Sequence, residues 1–139
     1  MQINQITEKV IASAIAVHRA LGPGLLESAY KRCLAIEFTE QGLSFEEEVW
    51  LSIHYRGHEI RYAYRMDFVV EGQIVVEIKA ISKISDVELA QVVTYLKLSG
   101  YKVGLIFNFK VPILSQGIRR VVLNLREDSA PPRLSGEQR

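Results

Sequence analysis

Apolar side chains in the first part of the chain recur at helical spacing, with polar side chains between them. This pattern predicts an amphipathic helix over residues 3–20, which the run Gly22-Pro23-Gly24 ends. A second helix is predicted from about Leu25 to Gln41, and Gly42 is a natural residue to close it. Two consecutive helices therefore open the fold.

The spacing changes after Gly42 to that of β-strands. Three runs, 45–55, 59–70 and 73–80, are predicted as strands separated by short turns. The third is nearly continuous apolar, which is typical of a central strand buried on both faces. A helix is predicted over 86–99, followed by strands over Lys102–Phe109 and Ile118–Leu125. The order α-α-β-β-β-α-β-β predicts an α/β (α+β) domain with a mixed sheet flanked by helices.

Length and composition indicate one globular domain. The chain has 139 residues, of which 48% are hydrophobic and 24% charged. We expect a single domain over residues 1–126 and a disordered tail over 127–139, where turn-forming and charged residues dominate. No apolar run reaches the ~20 residues of a membrane-spanning helix, so no membrane association is expected.

Cysteine content and the first residues bear on the compartment. The single cysteine, Cys33, excludes an internal disulfide, a cysteine-based zinc site and a cysteine-bound iron–sulfur cluster. The N-terminal residues show no secretory signal. These observations predict a cytoplasmic location.

The charge balance limits the kind of nucleic-acid binding that is expected. Seventeen Lys and Arg against sixteen Asp and Glu give a net charge of +1, and the pI is about 7.9. A dedicated nucleic-acid-binding domain has a pI of about 9 or above. Tight, sequence-independent coating of DNA is therefore not expected, whereas an enzyme that contacts a few phosphates is compatible with this charge.

The candidate chemistry lies on the predicted hairpin around Gly72. Asp67, Glu77 and Lys79 interrupt the most apolar strands of the chain, where charged residues are rare unless paired or bound to a metal. Glu77 and Lys79 are two positions apart, so a strand directs both side chains to one face. If the loop is Glu71–Gln73, then Asp67 is the direct cross-strand partner of Glu77.

Two carboxylates and an ammonium at one point suit metal-assisted hydrolysis of a phosphodiester. Carboxylate oxygens bind hard divalent cations such as Mg²⁺. The cation polarises the phosphate and lowers the pKa of a bound water, and the lysine stabilises developing charge. The alternative is an ordinary surface Glu–Lys pair beside an aspartate, but placement on a buried hairpin followed by a helix favours the metal site.

Two helical segments add candidate residues, each with a structural alternative. Gln91 and Tyr95 lie one turn apart on one helix face. They could position water or substrate, or be a solvated amide and a core aromatic. Glu27 lies in a first helical turn, where the helix dipole favours a carboxylate. It could also point at the metal as a third carboxylate, with Tyr30 on the same face as a candidate substrate contact.

The run GPGLLESAY, from Gly22 to Tyr30, resembles the Gly-x-x-Glu-x-x-Tyr motif of the GxxExxY protein family in the PD-(D/E)XK nuclease superfamily. The resemblance covers most of the chain and includes in order YRMD (64–67), VEIK (76–79), AQVVTYL (90–96) and VGLIFNF (103–109). It implies a restriction-endonuclease-like fold, whose core matches the predicted order of elements.

The same resemblance implies roles for individual residues. Asp67, Glu77 and Lys79 would form the core of the site, Glu27 would be the helix-borne acid, and Gln91 would follow the core. The Gln91/Tyr95 pair is also similar to a motif of exonucleases related to the bacterial recombination nucleases. Those relatives often contain a cysteine-bound iron–sulfur cluster, for which this chain lacks the cysteines.

Other side chains have less specific signals. His18 could reach a phosphate or bond carbonyl groups at its helix end. Arg65, two positions from Asp67, is the best placed of several arginines to contact a phosphate. Trp50 is either a core residue or a stacking platform. The acidic run 46–48 either faces solvent or adds negative potential near a phosphate path.

The sequence thus predicts a metal-dependent nuclease that hydrolyses phosphodiester bonds in DNA. Mg²⁺ or Mn²⁺ would be held by Asp67, Glu77 and the backbone carbonyl of Ile78, with Glu27 assisting. Lys79 would stabilise the transition state, and Gln91 would help to position water or substrate.

Two other functions remain open at this point. One is a catalytically idle nuclease fold that binds or regulates within a DNA-processing complex, and the other is a metal-dependent hydrolase of nucleotides or RNA. Three retained charged residues favour an enzyme over the idle module. The nearly neutral body suggests few phosphate contacts, or help from a partner protein or a second copy in a homodimer.

Overall fold

Two helices begin the chain in the computed structural model, which describes residues 1–123. Helix α1 spans Ile3–Leu21 and α2 spans Glu27–Glu40, so each lies within two residues of its predicted bounds. Gly22 ends α1 with a φ of 73°, a conformation that glycine adopts without steric strain. The predicted tail 127–139 and the end of the last predicted strand lie outside the described residues.

Five strands form one sheet in the order β1-β2-β3-β4-β5. Their bounds are β1 Phe45–Tyr55, β2 His58–Val70, β3 Ile74–Lys79, β4 Val103–Asn108 and β5 Ile118–Val122. Strands β3 and β4 are parallel, and the other neighbouring pairs are antiparallel. Helix α3, Asp86–Ser99, connects the two parallel strands. The predicted order and the mixed sheet are confirmed.

The helices divide between the two faces of the sheet, and each face carries its own apolar core. Helices α1 and α2 cover one face, where Tyr30, Leu34 and Phe38 pack on Val76 and Phe107. Helix α3 covers the other face, where Val92, Tyr95 and Leu96 pack with Val75 and Ile106. Side chains of β3 alternate between these cores, because successive residues of a strand point to opposite faces. This double burial explains the continuous apolar pattern of β3.

The turn between β2 and β3 fixes how the two strands align. Its three residues, Glu71–Gln73, leave Val70 paired with Ile74 and Phe68 paired with Val76. Glu71 and Gly72 both have positive φ, 53° and 61°. This is the loop length that the sequence required for Asp67 to lie opposite Glu77.

Strands β1 and β2 continue beyond the rest of the sheet as a two-stranded hairpin arm. In the described residues, β2 pairs with β3 only over Phe68–Val70. Residues 58–66 of β2 pair with β1 alone. The arm is irregular between Leu51 and Ile53, where β2 contains extra residues and Tyr62 has a φ of 56°. One face of this arm therefore remains available for contacts outside the domain core.

The helices of residues 1–123 were compared with the length and apolar character of a bilayer-spanning helix. None of α1, α2 and α3 has both the length and the apolar character that a bilayer span requires.

Candidate active site

Strands β2 and β3 separate immediately after their last ladder pair, and two carboxylates fill the gap. The backbone N–H of Asp67 donates to Glu77 Oε2 at 2.7 Å. In return, the backbone N–H of Ile78 donates to Asp67 Oδ2 at 2.8 Å. Each acid therefore accepts a hydrogen bond from the opposite strand, at a point where a backbone carbonyl would normally accept it. This exchange holds both carboxylates at the splayed end of the hairpin.

Burial makes this carboxylate pair electrostatically strained. Asp67 is 7% exposed and Glu77 is 3% exposed. Desolvation, followed by the charge of Asp67, raises the pKa of Glu77 from its ordinary 4.5 to about 8. Within residues 1–123, Asp67 forms an ion pair with a lysine, whereas Glu77 forms none. The pair would be relieved by a cation that reaches both acids.

Lys79 ends β3 two positions after Glu77, on the same side of the strand. Its side chain is partly buried, and its charge acts to lower the pKa of Glu77 against the larger effect of burial. Its carbonyl accepts a hydrogen bond from Phe109 N at 2.9 Å. Lys79 therefore lies near the carboxylate pair on a strand end that β4 holds in place.

Asn108 secures the chain directly after Lys79. This buried side chain accepts from Ile81 N at 3.0 Å and donates from Nδ2 to Ile81 O at 2.8 Å. Its Oδ1 also accepts from Lys110 N at 3.2 Å. Three backbone bonds to one amide fix the exit of β3 against the exit of β4. Asn108 was not a predicted site residue.

Lys31 of α2 is the second residue that the sequence did not indicate. Its Nζ lies 2.8 Å from Asp67 Oδ1 and 3.8 Å from Glu27 Oε1. Burial lowers the pKa of Lys31, but the hydrogen bond and charge of Asp67 outweigh it, so that the pKa is raised. The only available signal was its spacing of four residues from Glu27 on the same helix face.

Glu27 lies in the first turn of α2, as predicted, but it approaches Asp67 only through Lys31. Its side chain is 41% exposed. In residues 1–123, no three His, Cys, Asp or Glu side chains converge closely enough to hold a metal ion. The structure therefore brings Asp67 and Glu77 together and leaves Glu27 at the rim.

Helix α3 places Gln91 and Tyr95 on the Glu77 side of the sheet. Tyr95 is 4% exposed and packs its ring at 5.8 Å against Tyr64 in an edge arrangement. Burial, and then the charges of Glu77 and Asp67, raise the pKa of the Tyr95 hydroxyl. Gln91 is partly buried one turn earlier. Tyr95 is thus a core aromatic that also lies within electrostatic reach of the carboxylates.

Tyr30 is buried in the α1/α2 core rather than presented to the cleft. Its ring stacks on Phe109 with centroids 4.3 Å apart, and its exposure is 0%. Its hydroxyl donates to Gly22 O and accepts from Leu25 N. These contacts hold the loop that leads into α2 and so position Glu27. They leave no surface of Tyr30 for a substrate.

His18 is also held by the protein interior. It is 7% exposed, and its Nε2 lies 2.9 Å from Val111 O. It borders a cavity of about 530 Å³ together with Arg19, Pro23 and Ile113. The carboxylate pair does not line this cavity, so the structure does not bring His18 to the site.

Arg65 does line the cleft that opens onto Asp67. This cleft has a volume of about 440 Å³, and its lining residues are Ser28, Lys31, Arg32, Glu47, Glu48, Arg65, Asp67 and Phe68. Arg65 Nη1 lies 3.5 Å from Glu48 Oε2. The acidic run 46–48 is exposed, and two of its members border the cleft. Both positive and negative side chains therefore line the cleft.

Comparison with known proteins gives one family match. The model for the PD-(D/E)XK nuclease superfamily matches residues 4–121. The chain belongs to this superfamily, whose members are generally nucleases. The five-stranded mixed sheet with helices on both faces is consistent with its restriction-endonuclease-like fold. No curated protein and no solved structure matches the chain.

Members of this superfamily typically use Mg²⁺ or Mn²⁺, and the carboxylate pair fits such an ion in its chemistry. Both acids present oxygen, the donor that these hard cations prefer. Burial, followed by the charge of Asp67, raises the pKa of Glu77 to about 8, and a cation between the two acids would counter both effects. Asp67 and Glu77, with the carbonyl of Ile78 between Glu77 and Lys79, are therefore the residues that would hold the ion.

Proposed function

We propose that this protein is a Mg²⁺- or Mn²⁺-dependent nuclease that hydrolyses phosphodiester bonds in DNA at the Asp67–Glu77–Lys79 site. The observation that carries the proposal is the buried carboxylate pair, in which each acid is fixed by a backbone N–H of the opposite strand. Two acids fixed this close together suit binding of a divalent cation, which would supply Lewis-acid activation of phosphate and water.

The roles of the surrounding residues follow from their positions. Lys79 would stabilise negative charge that develops on the phosphate, since its ammonium lies on the same strand face as Glu77. Gln91 and Tyr95 would limit where water or substrate can lie on the α3 side. Glu27 would assist from the rim, once Lys31 no longer lies between it and Asp67.

We also propose membership of the GxxExxY group within the superfamily. Its motif corresponds here to Gly24, Glu27 and Tyr30. The two hydrogen bonds of the Tyr30 hydroxyl supply a physical reason for the motif, because they fix the loop before Glu27. This positioning role replaces the substrate contact that the sequence predicted for Tyr30.

One observation favours the second candidate, a catalytically idle binding module. Lys31 already supplies a positive charge to Asp67, at 2.8 Å. An idle fold would retain such an ion pair to satisfy a buried acid. The two functions differ in whether the protein cleaves DNA when a divalent cation is added.

Cleavage of end-labelled single- and double-stranded DNA with Mg²⁺ or Mn²⁺ tests the proposal. We expect metal-dependent cleavage by the wild type, and a loss of at least about 100-fold in Asp67→Ala and Lys79→Ala. Lys97→Ala, on the exposed last turn of α3, is the matched control and should cleave as the wild type does. Equal activity of wild type and Asp67→Ala, or no cleavage of either DNA, would reject this assignment.

A further inference from the structure

The hairpin arm carries an exposed aromatic and cationic surface beside the candidate site. Trp50 is 49% exposed and Tyr62 is 68% exposed, and their rings meet edge-to-face with centroids 5.6 Å apart. The Arg65 guanidinium lies 5.4 Å from the Trp50 ring centroid. We call Trp50, Tyr62 and Arg65 the Trp50 platform.

Strand alternation explains why this platform is uncovered. Val49, Leu51 and Tyr64 pack into the core beneath α3. Trp50 and Arg65 are cross-strand partners at alternate positions, so they point to the opposite face of the arm. Residues 58–66 of β2 do not pair with β3. The platform is therefore a fixed surface outside the apolar core, and the core does not require its large aromatic rings.

The platform is continuous with the cleft that opens onto Asp67. Arg65 belongs to both, and it precedes Asp67 by two positions on β2, roughly 7 Å along an extended strand. Lys31 and Arg32 face the same cleft from α2. A polyanionic strand that enters this cleft would contact positive side chains on its wall and the aromatic rings of the platform directly outside it.

We propose that the Trp50 platform stacks an unpaired base of single-stranded DNA whose backbone passes Arg65 toward Asp67. This inference rests on the proposed function and adds a substrate class to it. Stacking on an aromatic ring tolerates any base, because every base has a flat π-face. A base within a duplex has no free face, so the platform favours single-stranded or frayed ends.

The ion pair between Arg65 and Glu48 suits an anionic ligand that competes with Glu48 for Arg65. Arg65 is held by Glu48 at 3.5 Å, a distance that a DNA phosphate could replace with a closer contact. Removing the Glu48 charge should then strengthen DNA binding, because the phosphate no longer competes with Glu48 for Arg65. Glu48→Gln is accordingly expected to bind single-stranded DNA more tightly, by at least twofold.

Trp50 is the only tryptophan in the chain, so its fluorescence reports on the platform directly. The full-length protein in EDTA would be titrated with oligothymidine and with an abasic oligonucleotide of equal length. We expect oligothymidine to quench the fluorescence and to bind at least fivefold more tightly than the abasic strand. A duplex of equal length should quench less at each concentration.

Binding of a dye-labelled strand, followed by fluorescence anisotropy, tests the residues. Trp50→Ala and Tyr62→Ala should weaken binding about 5- to 100-fold, and Trp50→Phe should restore most of the loss. Tyr55→Ala is the matched control, because Tyr55 is a 63% exposed aromatic at the end of the same strand. Its affinity should stay within twofold of the wild type.

The platform assignment is overturned if base removal leaves the affinity unchanged, or if Tyr55→Ala weakens binding as much as Trp50→Ala. Its failure differs from failure of the nuclease proposal. Metal-dependent cleavage that is lost in Asp67→Ala but unaffected by Trp50→Ala would retain the nuclease and reject the platform. Stacking that depends on Trp50, without any DNA cleavage, would retain the platform and reject the nuclease.

Discussion

Lys31 places an ammonium group against one member of the buried carboxylate pair. It contacts Asp67 Oδ1 at 2.8 Å, whereas the other acid, Glu77, relies on a backbone N–H. A cation that binds both acids must share or replace this contact. Lys31 therefore stabilises the buried Asp67 and, under the proposed function, would oppose metal binding.

Replacing Lys31 by methionine should tighten binding of a divalent cation, by about 3- to 30-fold in Kd. The change removes the competing charge and retains much of the apolar stem of the side chain. Calorimetric titration with Mn²⁺ measures the effect. Arg32→Met is the matched control, because Arg32 lines the same cleft without an ion pair to Asp67. Unchanged or weaker affinity in Lys31→Met would contradict this role.

Glu77 should reduce the stability of the metal-free protein as the pH rises. Its pKa is about 8 when folded against an ordinary 4.5, so the folded protein holds its proton more strongly than the unfolded chain. That contribution to stability is complete below the unfolded pKa and is lost as the pH rises toward 8. Glutamine has no such titration and can still accept the Asp67 N–H.

Glu77→Gln should therefore gain stability relative to the wild type between pH 6 and 8, by on the order of 2 kcal/mol at ~1.4 kcal/mol per pKa unit. Urea unfolding in EDTA at both pH values measures this change. The exposed Glu46→Gln provides the control, and its difference from the wild type should stay constant. A Glu77→Gln difference that is equal at both pH values would contradict the raised pKa.

The sequence predicted the carboxylate pair because buried charges in apolar strands are conspicuous. It could not predict Lys31, since a spacing of four residues from Glu27 does not distinguish this lysine from a solvated one. The same limit applied to Tyr30. Its place one turn after Glu27 was correct, but only the fold shows that its hydroxyl bonds the backbone at Gly22 and Leu25.

At the scale of elements, the position of α3 depends on a close approach to β4. A Cβ atom at Gly104 would lie 2.7 Å from Val92 Cγ1 of α3, well inside contact distance. Val92 has 0% exposure and neighbours Gln91 in sequence. The absence of a side chain at Gly104 thus allows α3 to bring Gln91 and Tyr95 toward the Glu77 side.

Gly104→Ala should reduce the free energy of unfolding by about 1–3 kcal/mol, the usual range for overpacking a core. Denaturant unfolding followed by circular dichroism measures it. Gly24→Ala is the comparison, because nothing lies within 4 Å of a Cβ at that position. If both variants lose the same free energy of unfolding, the close approach of α3 to β4 does not depend on the missing side chain at Gly104.

The elements were predictable to within two residues at most ends because apolar periodicity and turn residues agree along the chain. The alignment of β2 with β3 needed the loop length, and Glu71–Gln73 satisfied the stated condition. The free face of the hairpin arm was not predictable. Trp50 fits a buried strand as well as an exposed one until the bounds of β3 are known.

At the scale of the whole molecule, the net charge of +1 limits how DNA can be held. Three basic side chains, Lys31, Arg32 and Arg65, line the cleft, and a fourth, Lys79, lies at the end of β3. The exposed acids Glu47 and Glu48 lie among them. Binding should consequently depend on a few local phosphate contacts and on stacking rather than on a general positive field.

Affinity for single-stranded DNA should fall with salt at a slope of about −3 in a log–log plot, as expected for about four phosphate contacts. Anisotropy titrations of a labelled strand in EDTA, over a series of NaCl concentrations, measure the slope. Arg65→Ala should make it less steep by roughly one contact. A slope near zero, or one steeper than about −6, would contradict this local mode of binding.

Electron paramagnetic resonance measures whether the buried carboxylate pair binds Mn²⁺, because the signal counts the free ion. We expect one site in the wild type, whose affinity for Mn²⁺ weakens at least tenfold in both Asp67→Asn and Glu77→Gln. Glu46→Gln should bind as the wild type does. Equal Mn²⁺ affinity in all four proteins would show that the buried carboxylate pair is not the metal site.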